Sequence, residues 1–273
     1  MKQLFFLCFA LLLPSLGFGQ TYQELYEQAL EWEAKDSLAK AEELFRQVLK
    51  MEPANPRNAF VFSNIGVMQQ RARQYDAAIE SFSYALNISP TLVSTRLNRA
   101  VAYIEVGLSN KAYVDYCEVL DVDKTNKEAL LMRAHIYMTR RDYKNARKDY
   151  NQLLNIDPAN YSGRLGLVLL NQHDGRPKES LDELNVLLEQ YPRNANLYVM
   201  RANIESENGK QELALMDLEE AIRLDPNSPE PYISRGEIYL ARKKKKDARR
   251  DFEKALKLGA PHSEIHPLIL QCK

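Results

Sequence analysis

The stretch "LLMRAHIYMTRRDYKNARKDYNQLLNIDP", residues 130–158, decides how the chain is read. Leu130, Leu131, Ala134, Tyr137 and Met138 recur at three- and four-residue spacing, and so do Tyr143, Ala146, Tyr150, Leu153 and Leu154. That is the period of an apolar helix face, met twice. The polar cluster "TRRD", residues 139–142, separates the two, and Pro158 stops the second because proline lacks the N–H a continuing helix needs. The stretch therefore reads as helix, short turn, helix. Two further spacings stand out: Ala134 and Ala146, both small, and Arg133 and Asp149, opposite in charge.

Working outward, Pro158, Pro192 and Pro226 follow one another at intervals of 34 residues, and Pro90 lies 68 before Pro158. Lys124 stands where the intervening proline would fall. Pro53 precedes Pro90 by 37, and the three extra residues, Pro56 to Asn58, are assigned to a loop. A fixed period of this length marks a repeat architecture. Phased on it, the chain gives seven segments starting at Tyr22, Ala59, Val93, Lys127, Tyr161, Ala195 and Pro229. Position 8 reads Ala29, Gly66, Ala100, Ala134, Val168, Ala202 and Gly236, and position 20 reads Ala41, Ala78, Ala112, Ala146, Ser180, Ala214 and Ala248. Small side chains at two fixed places let two helices approach closely. Position 24 supplies bulk as Phe45, Phe82, Tyr116, Tyr150, Leu184, Leu218 and Phe252.

Small residues at 8 and 20, large apolar ones at 4, 11 and 24 and proline at 32 resemble the tetratricopeptide repeat (TPR) family, over residues 22–262. The resemblance implies an all-α, right-handed superhelix of about seven helix-turn-helix repeats. Residues 263–273, with Ile265, Leu268 and Ile269 on one side, are expected to cap its end. Two repeats depart from the pattern. The fifth has Val168, Ser180 and, at position 11, Asn171, and the sixth has Glu205 at position 11, so these two are expected to pack less regularly.

The resemblance also places positions 2, 5, 6, 9, 12 and 13 of each first helix on a concave groove. Carried over residue by residue, it assigns peptide binding to Asn64, Asn98, Val101, Met132, His135, Met138, Leu165, Met200 and Asn203. An amide offers a donor and an acceptor to a peptide backbone, and methionine adapts to varied apolar partners. Some members of the family clamp acidic chaperone tails with lysine at position 5. Here that position reads Tyr26, Ser63, Leu97, Leu131, Leu165, Val199 and Ile233, so that role is not expected.

Arginine at position 7 accompanies aspartate at position 23 in four repeats: Arg99 with Asp115, Arg133 with Asp149, Arg201 with Asp217, and Arg235 with Asp251. The fifth repeat has Leu167 with Glu183, an acid without its arginine. A ladder of guanidinium groups could hold a ligand carboxylate or phosphate. Because every arginine comes with its own acid, the pairs are read instead as structural, meeting within a repeat or across a junction.

Lysine plus arginine equals aspartate plus glutamate at 37 each, which offers no argument for nucleic acid as a partner. Residues 1–19 combine Lys2, an apolar run from Leu4 to Leu13, Pro14, Gly17 and Gly19, the order of a secretory signal. Cleavage there would leave no transmembrane span in the mature chain and makes the periplasm of a Gram-negative bacterium the expected address. Cys117 and Cys272 give no disulfide framework, and Cys117 is read as a buried free thiol. The basic run at residues 242–250 supports an alternative reading as a polyanion or anionic-lipid binder, against a solvated turn. His262 and His266 are spaced to share a metal on a helix, but no third ligand is near. No phosphate loop, nucleophile elbow or zinc-protease motif occurs, so no catalytic residue, metal or cofactor is assigned. The expected function is a non-catalytic scaffold with a protein or peptide partner, in envelope assembly or secretion.

Overall fold

The computed structural model describes residues 20–273; the expected export signal at residues 1–19 lies outside the described residues. Among the described residues there are fifteen α-helices and no strand. Seven pairs follow in order: α1 (Tyr22–Ala34) and α2 (Leu38–Met51), α3 (Asn58–Arg71) and α4 (Tyr75–Ile88), α5 (Val93–Glu105) and α6 (Ser109–Val122), α7 (Lys127–Thr139) and α8 (Tyr143–Ile156). They continue with α9 (Tyr161–His173) and α10 (Pro177–Gln190), α11 (Ala195–Glu207) and α12 (Gln211–Leu224), and α13 (Glu230–Ala241) and α14 (Lys245–Lys257), closed by α15 (His262–Gln271). The chain divides into two compact units, one ending at Asp115 and the other Tyr116–Lys273, and the division falls inside α6.

Every helix pair turns in the same way, and the backbone shows why. Position 15 has positive φ in all seven repeats: Asp36, Arg73, Gly107, Arg141, Gly175, Gly209 and Lys243. In α7–α8 the N–H of Asp142 reaches the carbonyl of Tyr137 and the N–H of Arg141 reaches that of Met138, at 2.9 and 3.0 Å. These are the paired bonds of a Schellman motif, which satisfies the last carbonyls of the first helix. Glycine adopts this left-handed geometry freely, whereas the other four residues bear about 1–2 kcal/mol each.

Inside the hairpins the small positions let bulky partners in. In the first unit Ala29 and Ala41 admit Phe45, and Gly66 and Ala78 admit Phe82; all are fully buried or nearly so. In the second unit Ala134 and Ala146 stand beside Tyr150, and Ala202 and Ala214 beside Leu218. Each such large side chain contributes about 1.5–3 kcal/mol by leaving water. In the fifth repeat α9 and α10 pack less closely than the helices of the fourth and sixth, as expected where Val168 and Ser180 replace the small pair. Ser180 donates its hydroxyl to the Val168 carbonyl at 2.9 Å, so the polar atom at the helix crossing is satisfied, and Leu184 is fully buried. At position 11 the departure from the pattern is chemical. Asn171 and Glu205 are both buried, and Asn171 Oδ1 and Glu205 Oε2 have no hydrogen-bond partner among the described residues.

Two irregularities of spacing are absorbed locally. Asn58 belongs to α3 and not to the loop: its side chain accepts from Tyr22 Oη and donates to the carbonyls of Glu52 and Pro53, tying the longer connection down. Where the proline is missing, Asp123 accepts from the Thr125 N–H and hydroxyl, and Asn126 caps α7 by accepting from the Ala129 N–H. At the C-terminal end α15 buries Ile265 in the cluster that holds Phe252 and Tyr232, and so closes the last repeat.

Candidate functional site

The recurrent arginine and aspartate meet inside their own repeats. Arg133 Nε and Nη2 donate to both carboxylate oxygens of Asp149 at 2.7 and 2.8 Å, and Arg99 does the same to Asp115 at 2.9 and 2.7 Å. Arg201 holds Asp217 at 2.7 Å twice, and Arg235 holds Asp251 at 2.7 and 2.9 Å. The remaining arm reaches the preceding repeat: Arg99 Nη1 to Ser83 Oγ, Arg133 Nη1 to Cys117 Sγ, and Arg201 Nη1 to Asn185 Oδ1. Each of these three guanidinium groups therefore binds its own hairpin and latches it to the one before. Hydrogen bonding to Asp149 raises the Arg133 pKa above its ordinary value. With their donors engaged and the aspartates buried, these arginines are fasteners between helices and have no fork free for a ligand.

Two expectations need correction. Glu183 does have an arginine: Arg164, at position 4 and not 7, donates to Glu183 Oε2 at 2.6 Å and to the Pro158 carbonyl. Position 4 is an apolar site in the repeat pattern, which hides the pair. Cys117 is half-buried beside Arg133 and not sealed in the core.

The groove residues fall into separate clefts within the two units. In the first, Asn98 and Val101 line a shallow cleft of about 380 Å³ with Val67, Gln70, Tyr75 and Glu105. Asn64 is half-buried and donates to Tyr26 Oη at 3.3 Å. In the second unit, His135, Met138 and Leu165 line an apolar cleft of about 400 Å³ with Thr139, Tyr150, Ser162, Gly166 and Leu169. Desolvation by the cleft wall lowers the His135 pKa, so its imidazole favours the neutral form, and the ring meets Tyr150 edge-on. Asn203 lies in another cleft of about 290 Å³, with Ser206, Glu207, Gln211, Ser234 and Glu237. Met132 and Met200 line none of these clefts and are half-buried, Met200 against the cluster of Val168 and Leu184.

The sequence pattern does not mark two residues of the apolar cleft. Tyr150 reads as core bulk at position 24, and Gly166 as an ordinary groove position. A Cβ at Gly166 would lie 2.4 Å from the Tyr150 ring, so glycine here is a condition for the cleft floor. A glycine on the groove face one repeat after a position-24 tyrosine is the signal that could have found them.

The other candidates contribute less. The arginines of the basic run are paired, Arg242 with Gln211 and Glu212, Arg249 with Glu253 and Arg250 with Asp247, and Lys245 reaches the Lys273 carbonyl, whereas Lys243, Lys244 and Lys246 make no ion pair among the described residues. His262 and His266 stack at 4.8 Å, but among the described residues no group of three or more His, Cys, Asp or Glu is placed to hold a metal. No described helix is long and apolar enough to cross a membrane.

Comparison with known proteins agrees with this architecture. Models described as TPR repeat and Tetratricopeptide repeat match residues 202–243, 127–160 and 229–258. DnaJ homolog subfamily C member 7 of Homo sapiens is 31% identical over 108 residues, 38% of this chain and 22% of that protein, so the chain spans about a fifth of the length of this curated relative. The crystal structure of a tetratricopeptide repeat protein from Parabacteroides merdae superposes with a TM-score of 0.68 at 31% identity, covering 93% of this chain and 99% of that one. The structure of YrrB, described as a TPR protein with an unusual peptide-binding site, shares the fold at TM-score 0.56 and 19% identity over 70% of this chain and 97% of its own. Seven hairpins of one geometry, four of them fastened by one repeated ion pair, and a relative matched along nearly its whole length place this chain in the tetratricopeptide repeat family, as a protein–protein interaction scaffold.

Proposed function

We propose that the chain is a non-catalytic scaffold that holds a peptide or protein segment against the first-helix faces of its repeats, in envelope assembly or secretion in the periplasm of a Gram-negative bacterium. The observation that carries the groove is the apolar cleft between α7 and α9, open to solvent and walled by Met138, Leu165 and Leu169. An apolar concavity with a few polar groups is the usual form of a ligand site. The arginines that could have bound an anion are already engaged, which favours an apolar peptide over a carboxylate or phosphate ligand. The description of YrrB, which shares the fold, adds support for a peptide. The compartment rests on residues 1–19 alone.

Photo-crosslinking in cells tests this reading. A crosslinker at Leu169, on the cleft, is expected to capture a reproducible protein set that a crosslinker at Met216, exposed on the second-helix side, does not. Identical sets from both positions would contradict the groove. An intact Met1 on the protein purified from cells would contradict export.

A further inference from the structure

The apolar cleft has a feature that specifies its ligand. Tyr150 is 1% exposed, lines the cleft floor, and its hydroxyl makes no hydrogen bond to any described residue. The residue lines the cleft, so an acceptor brought into the cleft is placed to meet a hydroxyl that no protein group engages. Gly166 keeps that route open, because a Cβ there would stand 2.9 Å from the hydroxyl oxygen. A peptide carbonyl supplies such an acceptor while the adjoining apolar side chain fills the space between Met138, Leu165 and Leu169.

The surface next to this cleft, towards the C-terminal repeats, favours one sign of charge on the ligand. On α11 and α13 the groove positions read Asn196, Val199, Met200, Asn203, Ser206 and Glu207, then Glu230, Ile233, Ser234, Glu237, Leu240 and Ala241, with no lysine or arginine. Glu207 and Glu237 face one cleft and have no ion-pair partner among the described residues. The nearby arginines are committed elsewhere: Arg242 to Gln211 and Glu212, Arg201 to Asp217, Arg235 to Asp251. Burial penalises the charge on Glu237 and raises its pKa, and a cation brought to the carboxylate offsets that penalty.

Resting on the peptide-binding reading above, we infer that the ligand is a basic, apolar-anchored peptide segment. It seats one large apolar side chain over Tyr150 and carries lysine or arginine where it passes Glu207 and Glu237. First helices of adjacent repeats pack about 8–10 Å apart, so the two clefts lie roughly 20 Å apart. An extended chain rising about 3.3 Å per residue covers that in about six residues.

Titration of the full chain with three synthetic peptides tests the inference. Each carries one phenylalanine and, about six residues away in either order, two lysines, two serines or two glutamates. The lysine peptide is expected to bind about tenfold more tightly than the glutamate peptide at low ionic strength, a preference that shrinks as salt is added. Glu207→Gln with Glu237→Gln should abolish the preference and leave the serine peptide unchanged. Gly166→Val should weaken all three peptides, and Leu169→Asn, a substitution at an exposed rim position, should do so with the fold intact. Equal binding of the three peptides, still lost on Leu169→Asn, would overturn the basic-ligand inference and leave the groove standing. Failure of all three to bind, or binding indifferent to Gly166→Val and Leu169→Asn, would remove the cleft itself.

Discussion

The fourth and sixth repeats make the same ion pair in different surroundings. Both join position 7 to position 23 through two hydrogen bonds of 2.7–2.8 Å. In the fourth, Asp149 has 2% of its side chain exposed, and position 11 is Tyr137. In the sixth, Asp217 has 10% exposed, and position 11 is Glu205, a second carboxylate near the same arginine. One fastener is thus sealed and balanced, the other wetter and overloaded with negative charge. The repeat geometry thus tolerates an electrostatic misfit as long as helix spacing is kept.

The largest expected effect is at the sealed pair. Arg133→Met should cost about 3–5 kcal/mol of unfolding free energy by leaving Asp149 charged and buried. Arg201→Met should cost less, because water reaches Asp217 and Glu205 can take up a proton. Denaturant titration of both variants checks the order, and equal losses would break the comparison.

Next is Glu205 itself. Burial raises its pKa, with Asp217 adding to the effect, so the unfolded chain releases this proton at a lower pH than the folded one. Stability from this residue therefore falls as pH rises from the unfolded carboxylate value of about 4.3 towards the folded value. Glu205→Tyr, which installs the residue that the fourth repeat carries, should gain about 1–3 kcal/mol at pH 7 by removing a buried, unsatisfied oxygen. The gain should shrink near pH 4. Thermal melts across pH report it, and a gain that does not depend on pH would assign the effect to packing alone.

The smallest effect lies in the turns. Arg141 holds φ 58° where the sixth repeat has Gly209 at φ 76°. Arg141→Gly should gain about 0.5–1 kcal/mol, and Gly209→Arg should lose a similar amount. Opposite signs in the two melts would assign the difference to the backbone of the turn, and equal signs would mean that the turn geometry is not what decides.

Much of this is legible in the sequence because the repeat is a packing rule. Alanine at 8 and 20, bulk at 24 and the 34-residue period state which helices touch, and the fold follows. The Arg–Asp pairs are legible as co-occurrence, but not their third arm, since position 25 varies as Ser83, Cys117 and Asn185. Arg164 is hidden because a long side chain reaches Glu183 from a different register. Of the groove, His135, Met138 and Leu165 do line one cleft, yet its floor could not be foreseen. Whether Tyr150 can form that floor depends on the missing Cβ at Gly166 in the next repeat, a contact that no single-repeat pattern records.

The arginine–aspartate ladder fastens the helices, and binding is proposed for the first-helix face. The most direct test is the double variant Arg133→Met with Asp149→Leu, measured for folding and for affinity towards the phenylalanine–lysine peptide. Removal of both partners leaves no unpaired charge, so the account predicts a folded protein whose affinity stays within about twofold of the parent. A folded double variant that has lost the peptide would make the ladder the binding site and contradict the account.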